Sequence, residues 1–233
     1  MSESKVKMPE SNRKKILFLT QFSILLALEA LVCFTVLGSL PIVPPAIVAT
    51  TAGIPVVIAA ILLGTGAGAA LGFSAGIFSL IVWTFVQPHI PYAFVFTPFG
   101  TLGEIRGNGW SIFISVVPRI MIGVAAGVSY KLISRLLFRK AAIDKKSKKD
   151  LIAYGAAGVI GSLTNTFLVL GSIYLFFGEK YAASVNVPYE MLIMLIFGTV
   201  ATNGIPEAIV SALCAMFICR PIKIIQGKRG DFT

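Results

Sequence analysis

The chain has 233 residues, 56% of them hydrophobic and only 13% charged, with a mean hydropathy of +0.88. Soluble domains run near a quarter charged, so this composition excludes an ordinary soluble fold and predicts an all-α polytopic membrane protein, each span taking about 20 residues. The chain has no G-x-x-x-x-G-K-[ST] phosphate loop and no room for a separate motor domain, so any energy is expected from a gradient or a partner.

The formal charge of +10 is not spread like a nucleic-acid surface. Of the 20 Lys and Arg residues, five precede the first apolar run (Lys5, Lys7, Arg13, Lys14, Lys15), eight lie between Lys131 and Lys149, and four follow the last run (Arg220, Lys223, Lys228, Arg229). Clusters separated by even numbers of spans follow the positive-inside pattern. They predict that both termini and the 139–150 loop are cytoplasmic and that no nucleic acid is a partner.

In chain order, residues 1–15 read as a cytoplasmic tail, 16–222 as a domain of six transmembrane helices, and 223–233 as a second cytoplasmic tail. The first span runs from Ile16 to Leu37. It is too long for a signal peptide and ends in no A-x-A site. Residues 38–45, with Pro41, Pro44 and Pro45, read as an outer loop. The second span covers Ala46 to Leu63, and a tight inner turn at 64–68 leads to a third span ending near Val86. A long aromatic outer loop follows from Gln87 to Gly109, too broken by prolines to hold a span. The fourth span runs from Trp110 to Phe138, and the fifth from Leu151 to Phe177. A short outer loop carries Glu179 and Lys180, and the sixth span covers Tyr189 to Cys219. No internal repeat is evident between the halves.

Ionisable side chains within a span cost about 2.5–3.5 kcal/mol each at its centre, so Glu29, Arg119 and Glu207 need a reason. With 1.5 Å of rise per residue, Glu29 lies about 21 Å above Lys15, Arg119 about 24 Å above Arg135, and Asn165 about 22 Å above Asp150. By the same rise Asn203 and Glu207 stand about 25 and 20 Å above Arg220. Five polar groups from four helices thus share one belt in the outer half of the membrane, which predicts a pocket opening outward. Pro118 and Pro206 should each free the carbonyl four residues earlier, at Ile114 and Thr202. Arg119 either pairs with a carboxylate as a structural bridge or receives a carboxylate or other acceptor of a ligand, with Asn165, Asn203 and Glu207 orienting it.

Asn108 and Trp110 open the fourth span at the outer interface, where the tryptophan serves as a belt residue or stacks on ligand. His89 reads as a solvated loop residue, and Cys33, Cys214 and Cys219 read as small hydrophobes with no metal spacing. No cofactor or metal is implied. Gly64, Gly68, Gly72 and Gly76 recur every four residues as overlapping G-x-x-x-G steps. Such a smooth stripe suits a closely packed helix of this chain or a docking partner. Ser23-x-x-x-Ala27 is a second small-residue pair on the first span.

Two segments, from Ile54 to Phe73 (IPVVIAAILLGTGAGAALGF) and from Gly107 to Gly123 (GNGWSIFISVVPRIMIG), together with Thr97-Pro98-Phe99, resemble the substrate-specific S components of energy-coupling factor (ECF) vitamin transporters. The resemblance covers roughly Lys15 to Lys223 and is greatest to the pantothenate-specific members, with riboflavin binders sharing part of the motifs. It implies a six-helix subunit that captures a vitamin from outside and topples in the bilayer. It further implies an ECF transmembrane scaffold subunit as partner and, through it, two cytoplasmic ATPase subunits. In that family an A-x-x-x-A pair on the first helix packs on the scaffold, and Ser23 and Ala27 match it with serine in the first place. Partner-docking candidates are therefore Ser23, Ala27, Gly64, Gly68 and Gly72. A stand-alone proton-coupled carrier using Glu29 or Glu207 is the alternative. An enzyme is disfavoured because the chain lacks a nucleophile or metal constellation.

Overall fold

A computed structural model describes residues 10–43, 47–138 and 146–229. Lys5 and Lys7 of the expected N-terminal tail, Pro44 and Pro45 of the first outer loop, residues 139–145 of the inner loop and the last four residues lie outside that description. Among the described residues, five helical stretches are long and apolar enough to cross a membrane: Ser11–Phe34, Thr65–Val86, Gly109–Leu137, Asp150–Ser184 and Tyr189–Gln226. They form an all-α bundle, as the composition requires.

The first crossing is α1 (Glu10–Phe34). The second apolar stretch departs from the expected uniform helix. Its first part pairs as β2 (Ile47–Thr50) with β1 (Ser39–Val43) in an antiparallel hairpin, where an outer loop was expected. Only Ile54–Leu62 is helical, as α2. Nine residues reach about 13.5 Å, under half of a hydrocarbon core of about 30 Å. The physical reason lies in composition: Ile-Val-Ala-Thr is as good a strand as a helix former, and Gly53 with Pro55 in the first helical turn starts the helix late.

Residues Pro55 to Ile61 of α2 are all buried. A helix apolar on every face belongs in a core, and α2 packs against α1, α3 (Thr65–Ile81), α4 (Gly109–Phe138), α5 (Lys146–Ser184) and α7 (Ile205–Arg229). The surrounding helices turn large apolar side chains outward, among them Leu28, Leu175, Met194 and Phe217, which suits a lipid surround.

Gly64, at φ +104°, makes the tight turn between α2 and α3 that only glycine adopts easily. From there the glycine stripe is used inside the chain. A Cβ added at Gly68 would strike Ala60 of α2, at Gly72 the Arg119 backbone carbonyl, and at Gly76 the Val116 backbone 2.7 Å away. Gly123 of α4 reciprocates against Gly68. The expectation of partner docking at Gly68 and Gly72 is therefore corrected, since α2 and α4 already occupy that face.

α5 also differs from expectation. It has 39 residues, about 58 Å of helix, and carries Glu179 and Lys180 in its last turns instead of in a loop. It ends where Asn186 turns left-handed at φ 54°. There the Val187 and Asn186 N–H groups donate to the Ala182 and Ala183 carbonyls, at 3.0 and 3.2 Å, the Schellman arrangement. The last crossing is continuous: a short turn at Tyr189–Met191, α6 (Leu192–Thr199), a π turn at Val200–Gly204, then α7.

The aromatic outer loop folds down as a plug. Phe94, Val95 and Thr97 are buried, and Phe94 and Phe96 join Ile114, Ile173 and Phe177 in one apolar cluster. Two serines of α4 hold the loop by its carbonyls: Ser111 Oγ donates to Phe94 O at 2.7 Å and Ser115 Oγ to Phe96 O at 2.6 Å. A small hairpin, β3 (Thr101–Leu102) with β4 (Ile105–Arg106), completes the loop, and His89 is exposed.

Candidate substrate site

Pro118 sits inside α4 and supplies no N–H, so the Ile114 carbonyl loses its helical partner. The structure shows what replaces it: Arg119 Nη1 donates to Ile114 O at 3.0 Å. The expected freed carbonyl and the half-buried arginine therefore explain each other. The guanidinium also stands over the Phe96 ring, 5.9 Å from its centroid, so the aromatic loop between α3 and α4 covers the cation with a ring face. Phe96 belongs to the aromatic loop expected from the sequence, but no sequence pattern links it to Arg119.

Two carboxylates, Glu207 and Glu29, lie within electrostatic reach of this cation. Glu29 of α1 is fully buried. Its Oε1 accepts from Cys33 Sγ at 3.3 Å, while its Oε2 has no hydrogen-bond partner among the described residues. Cys33 thus does more than fill space, since its thiol serves the carboxylate one turn below. Glu207, also buried, opens α7 directly after the π turn. Pro206 is accommodated by that widening, with the Ile205 N–H reaching back five residues to Val200 O.

Asn203 lies within the π turn, four residues before Glu207 and so on the same face. Across from it, Thr166 of α5 packs against Gly204, which sets Asn165 and Asn203 on either side of one helix contact. The Asn165 Oδ1 is buried without a hydrogen-bond partner among the described residues. Of the belt expected from helix heights, Glu29, Arg119 and Glu207 come within electrostatic reach of one another, while Asn165 and Asn203 adjoin the Thr166–Gly204 contact between α5 and the π turn. β2 runs along that π turn and the start of α7, placing the first hairpin beside Asn203 and Glu207.

A narrow crevice lies between Gly53, Ile54 and Val57 at α2, Ile122 of α4, Ser162 of α5, and Glu207 and Ser211 of α7. It does not admit a water-sized sphere. Ser162 and Ser211 were not anticipated; single serines within an apolar helix leave no pattern.

Asn108 and Trp110 are not brought to this belt. Nine residues separate Trp110 from Arg119, about 13.5 Å and half a turn around α4. Asn108 acts as the N-cap of α4: its Oδ1 accepts from the Trp110 N–H at 2.9 Å, and its own N–H donates to Ser111 Oγ at 3.2 Å. Trp110 stacks on Phe176 at 3.9 Å between ring centroids and stays half exposed. Together with Gly109 and Phe113 they line a separate, open hollow of about 440 Å³. Ser23 and Ala27 are exposed on one face of α1. Among the described residues, no group of three or more His, Cys, Asp or Glu side chains could hold a metal ion.

Residues 17–219 match the family model described as "ECF transporter, substrate-specific component". The chain is also 34% identical over 161 residues, 69% of its own length and 70% of the relative's, to the pantothenic acid transporter PanT of Lactococcus lactis subsp. cremoris (strain MG1363). The family model spans most of the chain and the relative is matched over more than two thirds of its length, so the chain belongs to the family of substrate-specific membrane components of ECF transporters.

Proposed function

We propose that this chain captures pantothenate from outside the cell and passes it inward with an ECF scaffold subunit and two cytoplasmic ATPases. The observation that carries the substrate reading is Arg119. Its guanidinium is fixed by Ile114 O and Phe96, and its donor fork suits a carboxylate. In this reading the acceptors of Glu29, Asn165, Asn203 and Glu207 receive the ligand's hydroxyl and amide donors. Pantothenate carries one carboxylate, two hydroxyls and an amide, and the similarity to PanT supports the same choice.

In this reading the cluster of Lys and Arg at both ends and at 139–150 faces the cytoplasm. The exposed Ser23 and Ala27 face of α1 meets the scaffold. Release follows when the whole subunit topples against that scaffold, driven by ATP hydrolysed elsewhere.

The test is mass spectrometry of small molecules released from the purified protein, followed by equilibrium binding of labelled pantothenate without ATP. Recovery and binding of pantothenate is expected. Recovery of riboflavin or another vitamin, with no pantothenate binding, would reassign the substrate.

A further inference from the structure

Three hydroxyls lie close together on α5, and two of them behave alike. Thr164 Oγ1 donates to Ile160 O at 2.7 Å and Thr166 Oγ1 to Ser162 O at 3.3 Å, each bonding the carbonyl four residues back. Ser162 does not. Its side chain is 4% exposed and its Oγ has no hydrogen-bond partner among the described residues. The helix offers this hydroxyl the same back-bond that Thr164 and Thr166 take, yet it lines the narrow crevice with Glu207 and Ser211. A buried polar atom left unmade is costly, and native proteins keep few of them outside functional sites.

The neighbours decide what chemistry this hydroxyl awaits. Glu207 on the same crevice wall repels an anionic group and favours a donor. Ile122, the α4 residue of the wall, lies three residues from Arg119, about 4.5 Å along the helix. A carboxylate held at Arg119 therefore leaves the far end of a short ligand within reach of Ser162. Asn165, one turn along α5, presents a second buried acceptor without a partner on the same side.

We propose that Ser162 is a specificity-determining residue: with Glu207 it receives the hydroxyl-bearing end of the ligand while Arg119 holds the carboxylate. The proposal rests on the pantothenate reading above and assigns the ligand's direction within the site. The crevice becomes the hydroxyl subsite when a ligand hydroxyl completes the bond that Ser162 lacks.

The test uses the full purified chain and two ligands, pantothenate and the otherwise identical acid with both hydroxyls replaced by hydrogen, titrated to millimolar concentration. Ser162→Ala should weaken pantothenate about 5- to 10-fold, the effect of one hydrogen bond, and leave the dideoxy acid within about twofold. Ser162→Cys, which keeps the shape but bonds weakly, should fall between. Any general effect on folding would shift both ligands together, so equal losses, or none, overturn the placement. Wild-type protein that binds neither ligand overturns the pantothenate reading itself. Wild-type binding of pantothenate, with Ser162→Ala changing the affinity for the two ligands by the same factor, overturns only the role of Ser162.

Discussion

Arg119 has two roles in this structure, and a double-mutant cycle separates them. Removing the guanidinium in Arg119→Ala strips the Ile114 carbonyl of its one replacement donor. Ile114 is fully buried, so the orphaned acceptor should cost about 1–3 kcal/mol of stability. Pro118→Ala returns the missing N–H to the helix, so that Ile114 O is bonded whether or not the arginine is present. In the background of Pro118→Ala, the stability cost of Arg119→Ala should therefore shrink by about 1–2 kcal/mol, a coupling well above the additivity error of distant sites. Unfolding of the four proteins in one detergent, without ligand, measures it. Ligand affinity should behave otherwise: Arg119→Ala loses about 10- to 100-fold, the value of charged hydrogen bonds, and Pro118→Ala does not restore it. Additive stabilities would refute the carbonyl exchange. Full recovery of affinity in the double variant would return Arg119 to a purely structural role.

Three other perturbations test different parts of the fold. Gly72→Leu should cost about 3 kcal/mol or more and be read as loss of monodisperse protein, because its Cβ lands on the Arg119 backbone; a stable, binding-competent variant would contradict the close α3–α4 crossing. Ser23→Leu and Ala27→Leu, on the exposed face of α1, should leave pantothenate affinity within about twofold while abolishing copurification with the scaffold subunit. Retained copurification would move the docking face elsewhere. Trp110→Ala should lose about 0.5–1.5 kcal/mol of stability with its stack on Phe176 and leave ligand affinity within about twofold. A large affinity loss would bring the outer rim of α4 into the site.

The membrane class and the long crossings were legible in the sequence for one physical reason: lipid punishes charge, so Glu29, Arg119 and Glu207 stand out against apolar runs. Pro118 was legible in the same way, because its missing N–H has a definite consequence four residues earlier. Residues 46–63 were not, since a strand and a fully buried helix are both continuous apolar runs, and hydropathy alone does not divide them at Gly53. Nor did the sequence say which neighbour fills a glycine stripe; only the backbone contacts of Gly72 with Arg119 do that. The end of α5 was misplaced because Glu179 and Lys180 read as a loop on polarity, whereas the helix stops only at the left-handed Asn186. Ser162 was invisible for a further reason: its significance is a bond that it does not make, and an unmade bond has no residue pattern.

The central claim is that this chain captures a substrate but cannot move it alone. Proteoliposomes holding the purified chain, with and without the scaffold and ATPase subunits, test that claim most directly when labelled pantothenate is supplied outside. Uptake is expected only in vesicles that contain all subunits and ATP, with binding alone in the others. Accumulation by this chain by itself, driven by a pH gradient through Glu29 or Glu207, would contradict the claim and identify a self-sufficient carrier.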